Sequence, residues 1–323
     1  MKKIQFLIVL IPFISLAQTK KIVSTKPPFI QSITSDTSNG KFNQVLFTYD
    51  ENDRVIAITN KEIKIEIGAK KKRAFKEYII KEQIFQYTDT LLQPFSRKTT
   101  SYQPSKDDPK TWVIQSIEQL YFLYENGKRI GDSAVYLKNW QGDLEWDWKT
   151  AEPQKIIGKL QQTSQRIYHE IDLTKPYSFP DKYFDEFTLL SQLNIGNETS
   201  AYRWGNRSNE ASYYTFSAFD TRLNPLKQLN VASILANEKV TSEFGGQYGQ
   251  TDICWYFFNQ NNYTDYTVTT DEQTQHFKYI FKFNYTYNRF QQPIYATVDV
   301  KQLFNNNGKF VRKYTQKFTF RYK

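Results

Sequence analysis

The residues best suited to chemistry lie at 139–149, in NWQGDLEWDWK. If 143–148 is a strand, Asp143, Glu145 and Asp147 project from one face and Leu144, Trp146 and Trp148 from the other, because side chains alternate along a strand. Carboxylates two apart on a strand stand roughly 7 Å from each other, within the range of about 5 to 9.5 Å over which glycosidases space their carboxyl pair. At that distance each raises the proton affinity of the other. The same oxygens suit a calcium ion, and Trp140 beside them offers a platform for a sugar ring. Alternation alone predicts the same pattern, with tryptophans packed inward and acids facing water or a neighbour's lysines. That plainer reading is favoured. Trp140, Asp143, Glu145, Trp146, Asp147 and Trp148 are kept as candidate ligand-binding residues.

The rest of the inventory excludes more than it offers. His169 and His276 are the only histidines and lie 107 residues apart, so histidine-rich zinc sites are ruled out by count. Neither sits in a motif of a Ser-His-carboxylate triad. Cys254, the single cysteine, lies in ICWYFF, where a thiol reads as a small buried apolar group rather than a nucleophile. Gly245-Gly246 with Gly249 is not a phosphate loop, since no Lys-Ser/Thr follows and no parallel βαβ unit surrounds it. No catalytic residue, metal or cofactor is assigned.

The elements around these residues follow one recurring phrase, an alternating aromatic strand, a short polar turn and an apolar strand running back. It reads FTYDENDRVIAI at 47–58, FQYTDTLL at 85–92, FLYENGKRI at 122–130, FSAFDTRLNPL at 216–226 and FNYTYNRFQQPI at 283–294. Tyr49, Tyr87 and Tyr124 are 38 and 37 residues apart, and a steady period marks repeated supersecondary units. Each unit reads as a β-hairpin. Asn126-Gly127 and Asn307-Gly308 add turn signals, and Phe318, Phe320 and Tyr322 alternate to the end of the chain, which places the last strand inside the sheet. The phrase weakens at 138–212, where tryptophans cluster and Pro153, Pro176 and Pro180 interrupt. Lys182–Leu193 carries apolar residues at helical spacing, and Asn224-Pro225 opens a second short helix or helical loop through Leu226, Leu229, Ile234 and Leu235.

Composition sets the surroundings. Lys2 and Lys3, an apolar run from Ile4 to Leu16, and Ser15 and Ala17 before Gln18 form a secretory signal peptide over 1–17. Its removal takes two lysines from a formal charge of +10, leaving +8 on 306 residues. Export argues against nucleic acid as a partner, and Lys70-Lys71-Lys72-Arg73 reads as a solvated hairpin tip. Cys254 is too far from the cleavage point to carry a lipid. One cysteine also means no internal disulfide, so the core must hold the fold. Tyr 23, Phe 25 and Trp 6 supply that core, because aromatics stacked across strands can cover a sheet face with little other material.

FTYDENDRV, FLYENGKRI and FSAFDTRLNPL, with the tract from Tyr213 through NPLKQLNVASILANEK and WYFFNQNNYTDYT to FKFNYTYNRFQQPIYATV, resemble the Tyr-Asp turn units of a β-strand-rich family of exported Bacteroidota proteins of unknown function. Those units are similar to the YD hairpins of Rhs-type proteins. The resemblance covers about two-thirds of the chain in pattern. Phe219 departs from the usual Tyr, and Asp53 stands where glycine is common. The resemblance implies the fold and export and transfers no catalytic residues.

The expected fold is all-β: a long antiparallel meander of repeated hairpins forming a broad curved sheet or open half-barrel, with one or two short helices. A Ser/Thr/Pro-rich tether or loosely attached first strand occupies 18–41, and one β domain 42–323. The expected role is that of an exported, non-enzymatic protein, periplasmic or extracellular and without a transmembrane segment after signal removal, whose partner is an envelope polymer or a glycan. The rival is a glycan-binding or glycan-hydrolysing protein using the Trp140–Trp148 segment. An outer-membrane barrel is disfavoured because strands such as 62–67 read as short and no regular ten-residue apolar-out series emerges.

Overall fold

The computed structural model describes residues 27–37, 40–67, 73–88, 91–105, 107–108, 110–125, 128–138, 144–147, 152–156, 162–167, 200–204, 211–235, 239–242, 253–257, 259–271, 276–304 and 308–323. The alternating aromatic and β-branched runs all become strands. In chain order these are β1 (Ile30–Ser35), β2 (Lys41–Tyr49), β3 (Val55–Ile67), β4 (Arg73–Gln86), β5 (Ser96–Pro104), β6 (Trp112–Glu125), β7 (Lys128–Lys138), β8 (Leu144–Asp147), β9 (Glu152–Ile156), β10 (Gln162–Ile167), β11 (Ser200–Trp204), β12 (Ala211–Leu223), β13 (Lys239–Ser242), β14 (Ile253–Tyr256), β15 (Asn261–Asp271), β16 (His276–Tyr287), β17 (Pro293–Phe304) and β18 (Phe310–Tyr322).

Fourteen of them form one antiparallel sheet in the order β10-β7-β6-β5-β4-β3-β2-β1-β18-β17-β16-β15-β12-β11. Two meanders therefore meet at β1 and β18, and the edge strands β10 and β11 are not paired with each other. Residues 30–35, within the stretch expected as a tether or loose first strand, form β1 between β2 and β18, with Ile30 and Ile33 buried. The basic run at 70–73 falls where β3 turns into β4, Ile67 standing opposite Arg73; its tip, 68–72, lies outside the described residues.

Turn chemistry repeats in detail. Asp50 Oδ1 accepts the N–H groups of Asn52 (3.0 Å) and Arg54 (2.9 Å) between β2 and β3. Asn288 Oδ1 accepts those of Phe290 (2.9 Å) and Gln292 (3.0 Å) between β16 and β17. In both turns the fourth residue, Asp53 or Gln291, has φ of 60°. That left-handed place suits glycine.

The inward face of the sheet is covered by residues 224–235, 239–242 and 253–257. Leu226, Leu229, Val231, Ile234 and Leu235 are buried there, as are Val240, Ile253, Trp255, Tyr256 and Phe257. The Trp255 ring meets Phe318 at 4.5 Å, Phe320 at 5.6 Å and Phe283 at 5.9 Å. This cover also shows that the sheet curls. Asn230 Oδ1 accepts the N–H of Val55 at 3.0 Å, yet β12 and β3 are seven steps apart in the sheet. Seven strand spacings on a flat sheet come to about 33 Å, whereas the chain from Leu223 to Asn230 reaches about 25 Å even when fully extended. The curled, open sheet is the half-barrel form.

The short helix or helical loop expected from Asn224 onward is a succession of turns, and because it follows β12 directly the phrase at 216–226 is one strand leading into these turns and not a hairpin. The bonds of the turns run from Lys227 N–H to Asn224 O (3.1 Å), Leu229 to Leu226 (3.2 Å) and Ala232 to Leu229 (2.9 Å). Asn224 and Asn230 give their side chains to backbone groups elsewhere, which competes with helical bonding: Asn224 Nδ2 donates to Tyr256 O at 2.7 Å and Asn230 Nδ2 to Leu92 O at 2.8 Å. The other helical stretch, 182–193, lies outside the described residues.

The short-strand argument against a membrane barrel does not hold, since 62–67 is the far half of the 13-residue β3. A different observation takes its place. On the face turned away from the core, β16 to β18 carry Lys278, Lys282, Lys301, Lys313, Lys317 and Arg321. A lysine or arginine facing lipid at mid-membrane costs about 2 to 4 kcal/mol, so this part of the face belongs in water.

Candidate functional site

The acidic, Trp-rich segment forms its own hairpin. β8 pairs with β9 apart from the large sheet, placing Leu144 opposite Ile156, Glu145 opposite Lys155, Trp146 opposite Pro153 and Asp147 opposite Glu152. The strand expected at 143–148 is thus present over 144–147, and a cation stands across from Glu145. Trp140, Asp143 and Trp148 lie outside the described residues; Glu145, Trp146 and Asp147 follow one another along one short strand. Among the described residues no group of three or more His, Cys, Asp or Glu is placed to hold a metal.

What the sheet does assemble is a row of tyrosines along the end where the repeated turns lie. Tyr49 Oη donates to Ile30 O at 2.6 Å, Tyr87 to Val55 O at 2.7 Å, Tyr124 to Pro94 O at 2.9 Å and Tyr322 to Pro293 O at 2.8 Å. Each bond runs from the end of one strand to the beginning of its partner, so the regular spacing of Tyr49, Tyr87 and Tyr124 is the spacing of these ties. Cations cap the rings. The Arg54 guanidinium sits 4.6 Å from the centre of Tyr87, Lys323 Nζ 4.3 Å from that of Tyr49, and the Arg222 guanidinium 4.1 Å from that of Tyr287, each geometry favourable for a cation on a ring face.

The electrostatics make this row a brace. Burial pushes Tyr87 up to about 12. Burial first and the Asp53 charge second push Tyr49 well above the ordinary phenol range, and burial does the same to Tyr322. Tyr287, hydrogen-bonded to Asp220, is raised by burial and by that carboxylate. Phenols held this way stay neutral and donate one bond; they do not serve as bases near neutral pH. Cys254 is equally quiet, being 2% exposed with its N–H 3.4 Å from Tyr266 Oη.

The alternation of Phe318, Phe320 and Tyr322 places the last strand inside the sheet, and β18 is indeed paired on both sides. Phe318 and Phe320 are buried, and Lys313, Thr315, Lys317, Thr319 and Arg321 on the other face are all exposed. The signal that could have found them is the strict alternation of KYTQKFTFR itself.

No family model and no curated protein matches this chain. Among solved structures, a porin-like protein from Bacteroides uniformis is similar over 93% of this chain and 99% of its own, at 9% identity and a TM-score of 0.34. A likeness of that strength assigns neither topology nor function. Among the described residues no helix is long and apolar enough to cross a membrane, which bears on helices alone.

Proposed function

We propose that this is an exported, non-catalytic β-sheet protein of the Tyr-Asp hairpin type, which binds an envelope polymer or glycan through its open sheet face. One observation carries the reading: the sheet divides its labour between faces. The inward face is filled by aromatic rings and by the cover of residues 224–235, 239–242 and 253–257, while the outward face of β15 to β18 presents regularly spaced Lys, Thr, Asp and Asn to water. A broad, rigid, polar face suits contact with an extended partner better than enclosure of a small one, whose sites are concave and largely apolar.

The test uses the mature chain without residues 1–17 and a panel of neutral and acidic polysaccharides. Retention of a polymer without chain cleavage is the expected result. Release of shorter sugars would overturn it and return attention to Glu145, Asp147 and the Trp140–Trp148 segment.

A further inference from the structure

We propose that the outward side of β18, with its neighbour β17, is a docking rail for an extended acidic polysaccharide. The proposal rests on the partner-binding reading above and names the surface and the ligand chemistry. Along β18 the exposed residues are Lys313, Thr315, Lys317, Thr319 and Arg321, while the alternate Gln316, Phe318 and Phe320 are buried. Successive cations are therefore four residues apart, about 13 to 14 Å, and Lys313 to Arg321 spans about 27 Å at the rise of an antiparallel strand. Threonine hydroxyls fill the intervals.

The neighbouring strand reinforces the charge. Lys301 of β17 stands directly opposite Lys313, and both are exposed. Like charges at directly opposed positions destabilise a sheet, so the pair works against the fold that carries it. Asp299 and Asp36 border the strip and bond to its hydroxyl and backbone N–H groups, not to its cations. Asp299 takes the Thr315 hydroxyl at 2.5 Å and stands opposite Lys282, whose ammonium is 3.7 Å from Asp265. Asp36 accepts the N–H of Lys317 at 3.3 Å. Among the described residues no carboxylate forms an ion pair with Lys301, Lys313, Lys317 or Arg321. β18 lies near the middle of the sheet, between β17 and β1, so a linear polymer can lie along it with sheet on both sides.

Charge complementarity selects a polyanion, and the exposed Thr319 hydroxyl, with the Thr315 oxygen still able to accept while its proton goes to Asp299, favours one that is also rich in hydroxyl groups. A carboxylate-bearing polysaccharide has both. Its binding should weaken with salt, because exposed charges are screened.

The probe is a fluorescently labelled polygalacturonate oligomer, read by anisotropy at low and raised salt, with labelled dextran as the uncharged counterpart and a duplex DNA as the competing polyanion. The triple variant Lys313→Gln, Lys317→Gln, Arg321→Gln should bind polygalacturonate about tenfold more weakly, with a shallower salt dependence, and should melt no lower than the parent. A control lacking three exposed cations elsewhere, Arg73→Gln, Lys76→Gln, Lys98→Gln, matches its net charge and should bind as the parent does. Equal losses in both variants, or no loss in the first, overturn the rail, as does tighter binding of duplex DNA. Retention of dextran without polygalacturonate also overturns the rail and leaves the partner-binding reading standing; retention of neither polymer overturns that reading itself.

Discussion

At the residue scale, the hydroxyl of Tyr87 both donates and accepts. It donates to Val55 O at 2.7 Å and accepts from Asn230 Nδ2 at 2.8 Å, under the Arg54 guanidinium. Tyr87→Phe keeps the ring and removes both bonds, leaving a carbonyl and an amide short of partners, and should cost about 1 to 2 kcal/mol in urea denaturation. The same tyrosine predicts an alkaline limb. Its folded-state value is raised from 10.0 to about 12, so the unfolded chain releases that proton first. The associated stability is fully present below pH 10 and is lost as pH climbs through 10 to about 12. Melting curves should be flat with respect to this group below that window and fall within it; the Phe variant should show a shallower fall.

At the element scale, the two matched turns offer an internal comparison. Asp53 and Gln291 share a φ of 60°, a conformation that costs an ordinary L-residue about 1 to 2 kcal/mol and that Asp tolerates better through local hydrogen bonding. Both side chains also hold an exposed partner: Asp53 Oδ1 is 3.1 Å from Lys323 Nζ, and Gln291 Oε1 accepts from Arg222 Nε at 2.8 Å. Exposed contacts of this kind are worth little. Gln291→Gly should therefore raise stability by about 1 kcal/mol, and Asp53→Gly by less. Thermal unfolding of the two variants side by side checks the order; a loss of stability in Gln291→Gly would show that the Arg222 contact outweighs the backbone strain.

At the scale of the whole molecule, the first and last strands described, β1 and β18, are stitched together in the middle of the sheet. β1 pairs with β18 from Ile30 opposite Tyr322 to Ser35 opposite Phe318, and the cover pinned by Asn230 ties β12 to β3 across the concave side. Removing 310–323 would expose the edges of both β1 and β17, take Phe318 and Phe320 from under Trp255, and break the link between the meanders. The truncated chain should lose the cooperative unfolding transition of the full protein and bind a hydrophobic dye; a sharp transition with native-like near-UV circular dichroism would show that the two meanders fold independently.

The sequence by itself determined the class of structure, because strand pairing leaves a period-two record at every position. The hairpins at 47–58, 85–92, 122–130 and 283–294 and the buried Cys254 were legible from alternation and turn chemistry, whereas the phrase at 216–226 runs on as β12 and leads into turns, not into a returning strand. The sequence did not determine what covers the sheet: residues 224–235 have apolar spacing compatible with a helix, and only the distant acceptors of Asn224 and Asn230 make them a run of turns. The choice between a tether and a first strand at 18–41 stayed open for a similar reason, since Ile30 and Ile33 are too few to mark a strand until β2 and β18 lie on either side. The Trp140–Trp148 segment was the most conspicuous chemistry in the linear chain, yet the described residues join only its centre, as a small separate hairpin. Tertiary structure instead drew attention to the cations of β18. Local patterns record which way a side chain points, but charges on separate strands become a surface only when register sets Lys301 against Lys313.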